Sequence, residues 1–60
     1  MDYWEDRITP EQHKACAAAM EKFRKGRKNR NAQHELYEVL CNNGVFSEEA
    51  DEIINLELAA

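Results

Sequence analysis

The nitrogen and sulfur side chains that could ligate zinc are His13, Cys16, His34 and Cys41, and the two thiols could also serve as nucleophiles. His13 and Cys16 are three apart and would share one face of a helix, while His34 and Cys41 are seven apart on a second. Structural zinc sites usually place a close cysteine pair on a turn, and no CxxC occurs here, so neither metal nor cofactor is expected. A nucleophilic cysteine would need a base, an orienting third group and a cleft to hold them. Sixty residues seldom enclose such a cleft, and both cysteines lie on or beside apolar stripes, where a thiol behaves as a small hydrophobe. No catalytic residue is assigned, and the chain reads as non-enzymatic.

The carboxylates Glu48, Glu49, Asp51 and Glu52 open a predicted helix, where they oppose its positive end and are ordinarily solvated. The competing reading is an acidic surface that docks on a basic partner or imitates nucleic-acid phosphates. The strongest functional signal is basic. Lys22, Arg24, Lys25, Arg27, Lys28 and Arg30, six of the eight basic residues, fall within nine positions, followed by Asn31, Gln33 and His34. Arginine, asparagine and glutamine at a helix start are the side chains that read base edges in a major groove, so Lys22, Arg24, Lys25, Arg27, Lys28, Arg30, Asn31 and Gln33 are candidate nucleic-acid contacts. Lys22, Arg24 and Lys25 also have a purely structural reading, as cations closing a helix against its dipole.

Eight basic against twelve acidic residues give a formal charge of −4, so the surface as a whole is no nucleic-acid footprint. The two signs are segregated, basic in the middle and acidic from Glu48 to Glu57. Two cysteines and no stretch with the regions of a signal peptide point to free thiols in a reducing cytoplasm. The longest apolar run, Ala15 to Met20, is far short of a bilayer span, and a protein free of membrane is expected.

The elements that must position these residues are helices. Residues 1–8 show no helical period and read as an extended arm bearing Tyr3 and Trp4, the tryptophan either covering one end of a small core or inserting into a second subunit or a partner. Thr9-Pro10-Glu11-Gln12 is a helix start with a capping box, and Cys16, Ala19, Met20 and Phe23 then mark one buried stripe, predicting a helix over 10–25. Gly26 to Asn31 allows either a short loop or a continuous helix, since a lone glycine costs a helix only about 1 kcal/mol; a break is expected. The period resumes over 32–42, with Leu36, Val39, Leu40 and Asn43 on one stripe and Tyr37 and Cys41 beside it, and Asn42-Asn43-Gly44 supplies a left-handed stop. A last helix over 48–58, capped by Ser47-Glu48-Glu49, presents Ala50, Ile53 and Ile54 and, more obliquely, Leu56 and Leu58.

A single all-α domain over residues 1–60 follows, a bundle of two to three helices. One hairpin cannot cover that much aliphatic surface, so a homodimer that completes the core is expected, with Tyr3, Trp4, Tyr37, Ile53, Ile54, Leu56 and Leu58 as the partner or dimer interface.

The opening YWEDRITPEQ, the cysteine-bearing helices and the capped acidic C-terminal helix together resemble the short early-region proteins of lambda-like bacteriophages. The resemblance carries no signature motif and transfers no functional residue. It implies a dispensable modulator of host physiology, or of the choice between lysis and lysogeny, acting in the host cytoplasm through contact with a host protein. The expected function is therefore protein interaction, with a small DNA-binding regulator using the basic 22–30 segment as the alternative.

Overall fold

A computed structural model describes residues 3–59 of the chain. Among these, the regular elements are all helices: α1 (Trp4–Arg7), α2 (Pro10–Lys25), α3 (Arg30–Asn42) and α4 (Ser47–Ala59). The expected extended arm is corrected by α1, a single helical turn that Asp6 N–H closes on the Tyr3 carbonyl at 3.0 Å. Four residues are too few to show a period, and this turn exists through its tertiary contacts. The arm's first two residues lie outside the described part.

Helix α2 starts as its sequence dictates. Thr9 Oγ accepts the Gln12 N–H at 3.2 Å, Gln12 Oε1 accepts the Thr9 N–H at 2.9 Å, and Pro10 stands where no amide donor is needed. It ends at Lys25, and the Gly26 N–H closes the last turn on the Lys22 carbonyl at 3.0 Å. The junction to α3 is a break. Asn29 Oδ1 accepts the Ala32 N–H at 2.8 Å, which makes Asn29 the cap and starts α3 at Arg30, two residues before the expected boundary.

The end of α3 is a Schellman turn. Val45 N–H bonds the Leu40 carbonyl at 3.0 Å and Gly44 N–H the Cys41 carbonyl at 3.3 Å, while Val45 and Leu40 share the core. Gly44 has φ 93°, the left-handed region that closes this turn. Helix α4 then begins one residue earlier than expected, and its first backbone bond, Ala50 N–H to the Phe46 carbonyl at 2.8 Å, puts Phe46 rather than Ser47 at the cap. Glu49 Oε1 reaches back to the Phe46 N–H at 3.2 Å, the half of a capping box that needs no serine.

Helices α2 and α3 pack on each other, and α3 packs on α4. Arg7, just before α2, pairs with Glu49 at the start of α4, and Arg24, late in α2, pairs with Glu57 late in α4. Helices α2 and α4 therefore run in the same general sense with α3 reversed between them, an up-down-up bundle. Cys16, Phe23, Leu36, Leu40, Val45, Ala50, Ile53 and Ile54 form its core, flanked by Trp4, Ile8, Ala19, Met20, Ala32, Tyr37 and Cys41. Burying a phenylalanine, leucine, valine or isoleucine side chain contributes about 1.5–3 kcal/mol, so the six such positions of this core support a fold with little margin.

A Cβ on Gly44 would stand 3.0 Å from Ile8 Cγ2 in a conformation that L-residues resist. Gly44→Ala should lower stability by about 1–2 kcal/mol, read from the urea midpoint by far-ultraviolet circular dichroism. An unchanged midpoint would refute this account of the α3–α4 turn.

Candidate functional site

The seven expected interface residues separate into three groups. Ile53 and Ile54 are buried in the chain's own core, which corrects their assignment to an interface: the α3–α4 packing already covers them. Trp4 and Tyr37 are half-buried and pack against that core, Trp4 also stacking on the His13 ring at 5.9 Å between centroids. Tyr3, Leu56 and Leu58 are exposed, Leu56 at 64%. Phe46, equally exposed, belongs with them and was not among the interface residues expected from the sequence. Its signal was local: an aromatic residue directly before an acidic helix start has no neighbouring stripe to join.

Phe46 is held by its surroundings. The Arg7 guanidinium lies 4.3 Å from its ring centroid and forks onto both Glu49 carboxylate oxygens, one bond measuring 2.9 Å, while Glu49 also accepts the Phe46 N–H. This cluster ties α1 to the start of α4. The hydrogen bond from Arg7 is the main reason that the Glu49 pKa is lowered, the Phe46 N–H adding to it and desolvation opposing it.

The basic segment is largely engaged within the fold. Lys22 pairs with Glu35 at 3.0 Å and Lys25 with Glu21 at 2.9 Å. Arg24 Nε donates to Glu57 Oε1, and Lys28 Nζ donates to the Glu57 carbonyl at 2.7 Å, supplying the cation that the last turn of α4 lacks. Gln33 Nε2 donates to the Lys28 carbonyl at 3.2 Å. Of the eight proposed nucleic-acid contacts, Arg27, Arg30 and Asn31 alone have no side-chain hydrogen bond or ion pair among the described residues. Glu57, which the sequence places only within the acidic C-terminal segment, is 6% exposed. It stands at i+7 from Ala50, with Ile53 and Ile54 between, so the spacing had marked it as a stripe position.

Beside this segment, α2 and α3 enclose an open groove of about 310 Å³. Its floor is Ala19, Phe23, Ala32, Leu36 and Val39; Arg27 lines one end, and the Lys22–Glu35 pair stands on the rim. None of the groove's lining residues comes from α1 or α4.

The possible metal ligands are dispersed. Cys16 is fully buried, and burial raises its pKa. His13 lies against Trp4, and His34 reaches Glu38 at 3.2 Å on its own helix. Among the described residues no three of the histidine, cysteine or carboxylate side chains gather as a metal would require, and no helix is long and apolar enough to cross a membrane. Compared with protein-family models, with curated proteins and with solved structures, the chain finds no match in any of the three.

The Arg7–Glu49 contact yields a pH dependence. A carboxylate whose pKa is lowered by folding adds stability above the ordinary glutamate range, and loses it as pH falls through the folded value. Arg7→Met should therefore lower stability at neutral pH and flatten the acid limb of a urea-stability profile between about pH 5 and 3. Acid limbs of equal slope in the two proteins would contradict the assignment.

Proposed function

We propose that this chain is a non-enzymatic interaction protein that binds a partner protein, a second copy of itself included, through the exposed apolar side chains of α4 and its cap. The observation that carries this reading is the exposure of Leu56 and Leu58 on α4, whose other large apolar residues are buried, and of Phe46 at its cap. Glu52 is one turn before Leu56 and Asn55 one turn before Leu58, so each leucine has an exposed polar or charged neighbour on the helix. A few well-packed anchors carry most of the affinity in protein contacts, of which Phe46 is the aromatic candidate here, and nearby charges set the encounter rate and the choice of partner. In keeping with the likeness to early-region proteins of lambda-like bacteriophages, the partner is a host protein of the bacterial cytoplasm.

The alternative, a DNA-binding regulator, rests on Arg27, Arg30 and Asn31. Arg30 occupies the positive end of α3, in a first turn that has no acidic residue, where a phosphate would offset an unfavourable placement. Two arginines neutralise few phosphates, and an affinity built on them would have a shallow salt dependence.

Capture of partners from bacterial lysate by the tagged chain, with and without nuclease, tests both readings. Retention of a stoichiometric protein should survive nuclease and fall about tenfold or more in Leu56→Asp/Leu58→Asp, exposed positions where the fold tolerates the change. Equal retention by wild type and this variant would sink the α4 reading. Loss on nuclease treatment, reproduced by Arg27→Ala/Arg30→Ala, would transfer the assignment to nucleic acid.

A further inference from the structure

The α2–α3 groove and the exposed edge of α4 are complementary in chemistry, an apolar lining with a cation against a leucine with a carboxylate. The groove has an apolar floor, and Arg27, its lining cation without an ion pair, stands at one end. Helix α4 offers Leu56, and one turn before it Glu52, an exposed carboxylate with no ion pair among the described residues. Ile53, the other residue one turn before Leu56, is buried, so Glu52 is the acid that must accompany Leu56 into any contact. Leu58 is two positions from Leu56 and faces the other flank of the helix, so a single groove does not take both.

Helix α4 is absent from the groove lining, so a molecule cannot fill its groove with its own Leu56 while the bundle stays folded. We infer that the groove receives α4 of a second copy: Leu56 of each chain enters the α2–α3 groove of the other, and Glu52 meets Arg27 across the contact. Each copy presents one groove and one α4, so a twofold axis makes the exchange reciprocal and closes the assembly at two chains. An amphipathic helix laid in an apolar groove is a recurrent mode of recognition, and the pairing of Glu52 with Arg27 selects the register. The inference deepens the reading that exposed α4 leucines are contact residues, and rests on it.

Sedimentation equilibrium of the full chain over a range of concentrations tests this, with folding of each protein checked by circular dichroism. The wild type should dimerise. Arg27→Glu and Glu52→Arg should each weaken the dimer about tenfold or more, because each places like charges in both copies of the contact. An equimolar mixture of the two variants should regain a dimer, since in the mixed species every contact joins opposite charges. Leu56→Ser, at a position outside the core, should weaken the dimer comparably and serves if either charge variant fails to fold. A wild type that stays monomeric overturns the proposal and any homodimer. A dimer indifferent to these variants, or a mixture that stays monomeric, overturns the groove contact alone. Either result leaves capture of a host protein by α4 to be judged by its own experiment.

Discussion

A carboxylate on a buried stripe is the constraint around which this small bundle is arranged. Glu57 follows Ala50, Ile53 and Ile54 on the face that α4 turns inward, and its side chain is almost wholly covered. An ionised carboxyl there is costly unless a donor reaches it. Arg24 supplies that donor from α2, and Lys28 takes the adjacent backbone carbonyl from the junction that follows. Among the described residues no buried side-chain nitrogen or oxygen is left without a hydrogen-bond partner. The basic cluster of the sequence is thereby divided: one part holds the C-terminal helix in place, and Arg27, Arg30 and Asn31 face outward.

The same interaction specifies topology. With Arg24 and Lys28 fixing the late turns of α4, and Arg7 fixing its first turn through Glu49, α4 is tied at both ends to the chain segments that begin and end α2. Apolar packing alone is weakly directional in a core of eight buried residues, and polar contacts at the two ends choose one arrangement of α4 on α3. That arrangement turns Ile53 and Ile54 inward and leaves Leu56 and Leu58 outside.

The local grammar of the chain was legible before its tertiary structure. Thr9, Pro10 and Gln12 marked one helix start, Asn43 and Gly44 marked a helix end, and the stripes Cys16–Phe23 and Leu36–Leu40 marked the core, because each follows from backbone geometry within a few residues. What was not legible depends on contacts between distant residues. The Trp4–Arg7 turn is held by His13, Phe46 and Glu49; the start of α3 at Arg30 depends on which residue of the Gly26 to Asn31 junction caps it, and Asn29 does; and the burial of Glu57 depends on Arg24 coming within reach. The candidate contact surface was half readable for the same reason: periodicity identifies an apolar residue but does not say whether a helix of the same chain will cover it.

The central claim, that the basic segment clamps α4 through Glu57, is most directly tested by a double-mutant cycle on Arg24→Met and Glu57→Gln, with stability read from urea unfolding. The account predicts that either change alone is destabilising and that the two effects are non-additive. The coupling should be about 1–2 kcal/mol, below the value for a fully buried pair because Arg24 is 58% exposed. Additive effects, with Arg24→Met as stable as wild type, would contradict it and return Arg24 to the set of cations open to a nucleic-acid partner.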